Sequence, residues 1–492
     1  MPETASPQAP DGSRVRIRMY RQGLGDCFLL TFYSDHTPRH VLIDCGVLLG
    51  APAGKDKIRK VARSIETETG GKLDALVATH EHWDHVSGFY DAKDIFGPMT
   101  VGEIWVAWTE DPSDPAAQTL KRRNQLKLQA IHLALAQLAK SDGPHLQAYG
   151  QGVEALLGFY GGPVEGVFGF SDKTAEAMQA VTRRNPAPTY WKPGDLIQPK
   201  WLPGVRIYVL GPPLDPNMIK KEGGKPGTET YGLTGADSAF AAALEAARAL
   251  ENEPDEPGRA ESLAAALPFH PSLQWQEKQD KDKILNNRHF KPLYQAYMAQ
   301  AADWRRIDAD WLLSAARLGL QLDNATNNTS LVLAIEFIDT GAVLLFAADA
   351  QIGSWKSWLD LKWDLKDGGA GAKALTTADL LRRTVFYKVG HHGSHNATLK
   401  EGGLEAMAAP GLVAAIPVDQ EFANHSKRWQ MPAAALFARL QELTRDRILR
   451  ADTPWPTTED QPPQGLSAQE WQRFVESIYL DPDGLFIDYY VR

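Results

Sequence analysis

Residues 79–85 read Thr79-His80-Glu81-His82-Trp83-Asp84-His85. An apolar run of strand length, residues 73–78, precedes them, and residues 86–89 have the composition of a turn into a helix. Side chains alternate along an extended segment, so His80 and His82 are expected on the same side. Asp84 and His85 then point to a second position about 3.5–4 Å away, a usual separation of paired metal ions. Because the chain has only 13 histidines in 492 residues, a metal centre is a better interpretation than a polar surface turn. Zinc is the first candidate, and iron or manganese are the others.

The H-x-H-x-D-H pattern resembles the signature of the metallo-β-lactamase superfamily of hydrolases. That resemblance implies an α/β (α+β) fold, an αββα sandwich with two divalent metal ions at the edge between its sheets. The turn Gln22–Asp26, Q-G-L-G-D, is similar to the V-G-Q-G-D turn of one branch, the ComEC-type hydrolase domains, although the glutamine differs. That branch often has H-x-D-x-D-H, and the complete histidine set in this chain favours a complete first-metal site.

Two later segments resemble further motifs of the ComEC-type branch. Residues 327–350 form an apolar hairpin similar to its N-x-S-L-V-L and L-L-T-G-D-A pair. Asp349 then stands where the family places a carboxylate that bridges both metals. The alternative for Asp349 is a helix N-cap, because residues that favour a helix follow it. Asp44, at the end of the apolar run 40–46, matches the family's first motif aspartate. The resemblance implies that it orients a ligating imidazole, and the alternative is a turn cap.

Residues 384–395 resemble the family's L-K-V-x-H-H-G-S segment. One of His391 and His392 is expected to complete the second metal site, and the sequence leaves the choice open. We prefer His391, the first histidine after the strand, so that His392 contacts substrate. Lys388 has a family counterpart that suggests an electrostatic role. Ser394 is a candidate for binding a leaving-group or phosphate oxygen.

These residues assemble into one hypothesis. The first ion is expected to be bound by His80 and His82, and the second by Asp84, His85 and His391 (or His392), with Asp349 bridging both ions. The residues expected to act in catalysis are Asp84, Asp349, His392 and Lys388. The residues expected to orient ligands or to bind substrate are Asp44, Asn328, Ser394 and His425. Asn328 is a weak ligand near the segment where the superfamily often adds a histidine, and His425 follows a late core strand. A hydroxide between the ions is the expected nucleophile.

The domain organisation is predicted from composition and apolar patterning. Residues 1–13 are expected to be a disordered leader, 14–107 the first half of the core, and 108–200 a helical insertion. Residues 201–213 should be a core strand, 214–322 a second helical insertion, and 323–492 the second half of the core. The insertions are expected to form a cap or side lobe that shapes the substrate cleft. The alternative is a surface for a homodimer or a protein partner.

Composition narrows the function classes. The formal charge of −9 argues against a protein that coats DNA nonspecifically, and no apolar run reaches the roughly 20 residues of a membrane span. Cys27 and Cys45 predict buried thiols and a cytoplasmic location. The leading hypothesis is hydrolysis of phosphodiesters in nucleic acid or nucleotides. The alternatives are an ester, thioester or lactam hydrolase, and a non-catalytic sensor or scaffold of a multi-protein system.

Overall fold

A computed structural model describes residues 9–34, 37–138, 144–162, 173–221, 277–297, 299, 314–365, 374–427, 429–453 and 460–492. The chain divides into two compact units. The first unit comprises Met1–Lys121, Gly158–Thr234 and Asp323–Arg492, and the second comprises Arg122–Leu157 and Gly235–Leu322.

The first unit is built on two large β-sheets. The strands are β1 (Val15–Tyr20), β2 (Phe28–Ser34), β3 (Thr37–Ile43), β4 (Lys72–Ala78), β5 (Thr100–Ala107), β6 (Thr189–Trp191), β7 (Leu196–Ile197), β8 (Val205–Gly211), β9 (Val332–Phe337), β10 (Val343–Phe346), β11 (Lys362–Trp363), β12 (Leu375–Thr376), β13 (Thr384–Lys388), β14 (Val413–Ile416), β15 (Ile448–Arg450), β16 (Ile478–Leu480) and β17 (Phe486–Val491). The first sheet has the order β16-β17-β1-β2-β3-β4-β5-β6, and the second has the order β15-β14-β13-β10-β9-β8-β7. β11 and β12 form a separate pair.

Some of the described helices, all in the first unit, cover the outer faces of these sheets. The described α-helices are α1 (Gly54–Thr69), α2 (Trp83–Asp91), α3 (Lys93–Phe96), α4 (Pro115–Leu138), α5 (Pro144–Leu157), α6 (Lys173–Thr182), α7 (Pro216–Ile219), α8 (Glu277–Asn286), α9 (Phe290–Tyr297), α10 (Ser314–Asn327), α11 (Ile352–Trp358), α12 (Thr377–Arg382), α13 (Ala434–Thr444) and α14 (Ala468–Val475). None of these described helices is long and apolar enough to cross a bilayer.

Three apolar clusters define the layers. One lies between the two sheets and contains Ile17 of β1 with Ile335 of β9, because alternate side chains of each strand face the opposite sheet. A second packs α1, α2, α3 and α6 against the first sheet. A third packs α11, α12 and α13 against the second sheet, with Trp355 and Tyr387 in contact. The predicted αββα sandwich is therefore confirmed.

Several predicted elements need correction. The helix after the histidine motif begins at Trp83, earlier than predicted, so Asp84 and His85 lie in its first turn. The terminal strand β17 lies inside the first sheet, where it pairs with both β16 and β1. The stretch 108–200, predicted as a helical insertion, also contributes β6 and β7 to the two sheets. Cys27 and Cys45 are buried free thiols, as predicted.

A buried ion pair joins β1 and β17, the strands of the first sheet that come first and last along the chain. Arg18 of β1 donates hydrogen bonds from Nε and Nη2 to the two carboxylate oxygens of Asp488 in β17, at 2.7 and 2.8 Å. The guanidinium also lies over the ring of Phe486, 3.5 Å from its centre. Because both ends of the pair are desolvated, each partner depends on the other to remain charged in the core.

Parts of the predicted organisation lie outside the described residues. These are residues 1–8 of the predicted leader, residues 139–143 and 163–172 of the first insertion, and residues 222–276, 298 and 300–313 of the second insertion, with shorter stretches of both halves of the core. Residues 10–13 of the leader form a turn in which Ser13 bonds back to the carbonyl of Pro10. In the second unit, the described residues include α5, α8 and α9, and Gly319 of α10 packs closely against Leu156 of α5. The boundaries assigned to the insertions remain predictions.

Candidate metal centre

The histidine motif spans the junction between β4 and α2. β4 ends two residues before His80, His82 is the N-cap of α2, and the helix begins at Trp83. The side chains of His80, His82, Asp84 and His85 are all inaccessible to solvent. The carboxylate of Asp84 is favourable in the first turn, because the amino end of a helix carries partial positive charge. Four buried polar groups this close require compensating partners.

His80 and His82 direct one ring nitrogen each at the other. Nε2 of His80 lies 3.1 Å from Nδ1 of His82. Two nitrogens bound to one tetrahedral zinc, each at about 2.0–2.1 Å, lie roughly 3.3 Å apart. The observed separation suits two ligands of one ion. The other nitrogen of His82, Nε2, is 3.1 Å from Oη of Tyr160.

His85 is held between two carboxylates. Its Nδ1 is 2.8 Å from Oδ2 of Asp44, which also accepts a hydrogen bond from the hydroxyl of Thr79 at 2.6 Å. The opposite nitrogen, Nε2, lies 3.1 Å from Oδ2 of Asp349. With the Nδ1 proton donated to Asp44, Nε2 presents a lone pair towards the interior of the centre unless it is protonated. Asp44 thus contacts the imidazole of His85, and its orienting role stays a prediction.

Asp349 follows β10 and faces the histidine motif. Its Oδ1 accepts hydrogen bonds from the backbone N–H of His391 at 3.1 Å and from Nζ of Lys388 at 3.3 Å. Its Oδ2 has no hydrogen-bond partner among the described residues. The N-cap of α11 is Gln351, so the alternative of Asp349 as the cap residue does not hold. The carboxylate therefore keeps one oxygen available to a cation.

The paired histidines after β13 have different surroundings. Nε2 of His392 lies 2.9 Å from Oδ2 of Asp84, and its Nδ1 lies 2.7 Å from the carbonyl of Pro417. His391 packs its ring edge-on against Phe159, 5.9 Å between centres, and its Nε2 has no hydrogen-bond partner among the described residues. The sequence argument preferred His391 as the ligand. The structure instead brings His392 to the second position, because the chain turns sharply between the two residues.

Asp26 was assigned no role from the sequence, although it lies at the centre. It forms an ion pair with Lys388, which also donates a hydrogen bond to the carbonyl of Ala348 at 2.8 Å. Oδ1 of Asp26 has no hydrogen-bond partner among the described residues and lies 3.7 Å from Nδ1 of His392. The glycine turn at residues 22–26 could have identified Asp26 as a site residue, because this turn resembles a family motif that ends in the same aspartate.

The electrostatics of the centre couple these groups. Burial alone would lower the pKa of His85, but the carboxylates of Asp349 and Asp26 raise that pKa well above its usual range. Burial alone would raise the pKa of Asp349, but His85 and Lys388 hold it well below its usual range. Burial, with the neighbouring His85, lowers the pKa of His80 well below its usual range. The carboxylate of Asp349 thus stays ionised and places negative charge beside His85.

Backbone strain is concentrated at the same place. Non-glycine residues with left-handed φ include Asp44 at 56°, Ala348 at 47°, His391 at 45° and His392 at 52°. Each such residue costs of order 1–3 kcal/mol, and strain of this kind clusters at functional sites. Each of these residues is a site residue or is adjacent to Asp349. The surrounding structure therefore maintains a strained geometry at the centre.

Glycines allow three backbone segments to meet behind the histidine motif. A Cβ at Gly46 would lie 2.2 Å from the carbonyl carbon of Asp84, and one at Gly25 would lie 2.7 Å from the carbonyl oxygen of Asp84. A Cβ at Gly88 would lie 2.5 Å from Sγ of Cys45. These distances are shorter than real Cβ contacts, so only glycine fits. The position of Asp84 is therefore fixed by the backbone at residues 25 and 46.

Three further candidate residues are not part of the ligand group. Asn328 accepts hydrogen bonds from backbone N–H groups at the start of α11 and donates to carbonyls at residues 219 and 221. Asn328 thereby connects the start of α11 to the backbone near residues 219–221. Ser394 donates to Asn396 at 3.0 Å, and His425 is exposed. Among the described residues, none of the three has a hydrogen bond or ion pair with the histidine motif.

The donor set fits divalent cations. Asp26, His85, Asp349 and His392 each offer one ligand atom, and these four atoms lie within 4.8 Å of one another. Buried polar atoms without a hydrogen-bond partner include Oδ1 of Asp84 and Nε2 of His85. Such atoms are rare in proteins, and imidazole nitrogens with carboxylate oxygens are ligands for zinc and related metals. The residues would hold one ion near His80 and His82 and one near His85 and His392.

Comparison with known families agrees with this geometry. Residues 20–174 match the family model described as the Metallo-beta-lactamase superfamily. The match includes the histidine motif, whereas Asp349, Lys388 and His392 lie beyond it. No curated protein matches the chain. The matched superfamily implies a metal-dependent hydrolase, and the resemblance to the ComEC-type branch remains a prediction.

Proposed function

We propose that this chain is a metal-dependent phosphodiesterase or nuclease that acts on nucleic acid or nucleotides. The observation that carries the proposal is the free oxygen of Asp349, which lies between two groups of potential ligands. His85 is 3.1 Å from that oxygen, and His80 packs against His85 with 4.2 Å between ring centres. A carboxylate shared between two ion positions is typical of hydrolases with paired metals.

The charge balance favours an anionic substrate. Asp26, Asp84 and Asp349 bring negative charge into the centre, and Lys388 offsets only part of it. Two divalent ions would more than neutralise these carboxylates, so the loaded centre would attract a phosphodiester. When bound, such ions supply Lewis acidity, lowering the pKa of water to about 7 and stabilising charge on the attacked phosphorus.

The residues of the chain have separate roles in this proposal. Asp84 keeps Oδ1 free of hydrogen-bond partners and can accept a proton from the attacking water. Lys388 holds Asp26 and Asp349 in place through its ion pairs. His391 keeps Nε2 free and can donate a hydrogen bond to a substrate oxygen. Burial lowers the pKa of His391 to about 4, so its imidazole is neutral at pH 7.

One observation favours a second candidate, the hydrolysis of an ester, thioester or lactam. Phe159 lies beside His82 and His391, and the half-buried Trp429 stacks on it with 5.0 Å between centres and an angle of 11°. The exposed part of Trp429 suits an apolar acyl group. A nucleobase would stack on it equally well, so the choice between the two reactions rests on the charge of the centre.

A substrate panel tests the proposal. The protein loaded with Mn²⁺ or Zn²⁺ is incubated with single- and double-stranded DNA and RNA, cyclic dinucleotides, an aryl acetate and a cephalosporin. We expect phosphodiester cleavage that Asp84→Asn abolishes and that Asp91→Asn, a control at the other end of α2, leaves unchanged. Cleavage that persists in Asp84→Asn would contradict the proposed centre.

The remaining outcomes separate the alternatives. Turnover of only the acetate or the cephalosporin would favour the acyl hydrolase. A folded, metal-loaded protein without activity on any substrate would favour the sensor or scaffold, with the ions serving structure. A protein partner, a homodimer and a cytoplasmic location stay predictions, which size-exclusion chromatography with light scattering and localisation of a tagged chain would test.

A further inference from the structure

A buried carboxylate that the site does not yet explain lies beside His82. Asp323, in the last turns of α10, has Oδ1 3.9 Å from Nε2 of His82, and its side chain is 8% exposed. Its Oδ2 accepts a hydrogen bond from the amide of Asn327 at 3.1 Å. Oδ1 has no hydrogen-bond partner among the described residues. A buried oxygen in this state favours a positively polarised neighbour, and Nε2 of His82 is such a group at 3.9 Å.

Tyr160 contacts the same nitrogen of His82. Its Oη is 3.1 Å from Nε2 of His82 and 3.0 Å from Oγ1 of Thr326. The ring lies edge-on to the imidazole, 5.0 Å between centres, and Phe159 packs on the imidazole at 5.3 Å. The imidazole is thus enclosed on its Nε2 side, while its Nδ1 faces His80.

The arrangement repeats the one behind His85. There, Asp44 accepts a hydrogen bond from Nδ1 at 2.8 Å and leaves Nε2 to face the centre. Behind His82, the hydroxyl of Tyr160 is within hydrogen-bond distance of Nε2, Asp323 lies 3.9 Å from the same nitrogen, and Nδ1 is left to face His80. A ligating imidazole commonly gives its second N–H to a carboxylate, carbonyl or hydroxyl, which fixes the tautomer and increases ligand basicity.

We infer that Tyr160 and Asp323 are positioning residues for the first metal position, acting through His82. This inference rests on the proposed function, because it assigns the residues that orient one of its ligands. Neither residue belongs to a short spaced motif. Tyr160 lies three residues after the last residue of α5, and Asp323 is where the chain re-enters the first unit. Residues that follow the two segments of the second unit thus supply what the H-x-H-x-D-H pattern lacks.

The test measures ion binding by the full chain. Metal-free protein is titrated with Co²⁺, whose visible absorption reports the ligand geometry, and bound metal is counted by elemental analysis. We expect the unsubstituted chain to bind two ions. Asp323→Asn and Tyr160→Phe should weaken the first position by about 10–100-fold and change its absorption, as His82→Ala should do more severely. Asp74→Asn and Tyr20→Phe, at a buried carboxylate and a buried tyrosine elsewhere in the first unit, should bind as the unsubstituted chain does.

Stability separates positioning from a structural role. Without metal, Asp323→Asn should be at least as stable as the unsubstituted chain, because the carboxyl group that it replaces has one buried oxygen without a hydrogen-bond partner among the described residues. Lower metal-free stability together with normal Co²⁺ binding would overturn the inference in favour of a structural role. Two ions bound normally by both variants would overturn it and leave the proposed function intact. No ion bound by the unsubstituted chain would overturn both.

Discussion

Substitution of Gly46 by alanine tests whether the metal centre depends on close backbone packing. The added Cβ would lie 2.2 Å from the carbonyl carbon of Asp84 and 2.3 Å from the amide nitrogen of His85. Ordinary van der Waals contact begins at 3.4 Å. The end of β3 and the first turn of α2 must therefore separate by about 1 Å, and Asp84 and His85 must move with the helix.

The expected effect is large on function and moderate on stability. Forcing extra volume into a packed site costs about 1–3 kcal/mol, which the two-sheet core should tolerate. A displacement of about 1 Å in catalytic groups can lower turnover by roughly 100-fold. We therefore expect Gly46→Ala to be folded, to lose at least one ion and to lose most of its hydrolytic activity. Elemental analysis, thermal unfolding and the cleavage of a phosphodiester measure the three quantities.

Gly411→Ala is the matched control. No atom lies within 4 Å of a Cβ at this position, and its φ is not left-handed, so the substitution should change none of the three quantities. If Gly46→Ala retained both ions and full turnover, the contact between residue 46 and α2 would not position the ligands. An unfolded Gly46→Ala would place the cost of packing well above the expected range and would also refute the reasoning.

Three other predictions follow from the charges of the centre. Lys388→Met should destabilise the metal-free chain by about 3–5 kcal/mol, because it leaves Asp26 and Asp349 without their buried cation, and less when ions are bound. The pKa values of His85 and His392 are raised, so both hold protons that an ion displaces, and zinc affinity should increase from about pH 6 to pH 8. Chelation should lower the melting temperature, since an ion at 100 times its Kd contributes about 2.7 kcal/mol.

Each of these has a simple check. Lys362→Met, at an exposed strand lysine, should have little effect on unfolding in urea, and an equal effect of both substitutions would contradict the role of Lys388. Zinc titrations by calorimetry in buffers of different ionisation enthalpy measure proton release, and its absence would mean that the imidazoles are already unprotonated. A melting temperature that EDTA does not change would mean that no ion stabilises the fold.

The parts predicted from the sequence are those encoded in short stretches. The motif at residues 79–85 puts its polar groups within six residues of one another, so their convergence follows from local geometry. Strand β10 and Asp349 were likewise recognisable, because an apolar run ends at one carboxylate. The αββα architecture followed from the resemblance that these motifs carried.

The parts not predicted depend on long-range contacts. His391 and His392 are adjacent, and only the left-handed turn that contains both decides which one meets Asp84. Asp26 reaches the centre because Lys388, far along the chain, holds it. Tyr160 and Asp323 follow the two segments of the second unit, and neither belongs to a motif with recognisable spacing. The position of β17 between β16 and β1 could not be inferred, because strand order depends on partners distant in sequence.

The pairing of β1 with β17 has a consequence for how the protein is made. The partner of Arg18 is synthesised 470 positions later in the chain, and Asp84 is synthesised 308 positions before His392. The histidines of residues 80–85 therefore leave the ribosome long before Asp349 and His392, the other candidate ligands, are synthesised. We expect metal capture to follow release of the nearly finished polypeptide, and stalled nascent chains ending before residue 384 should retain no zinc.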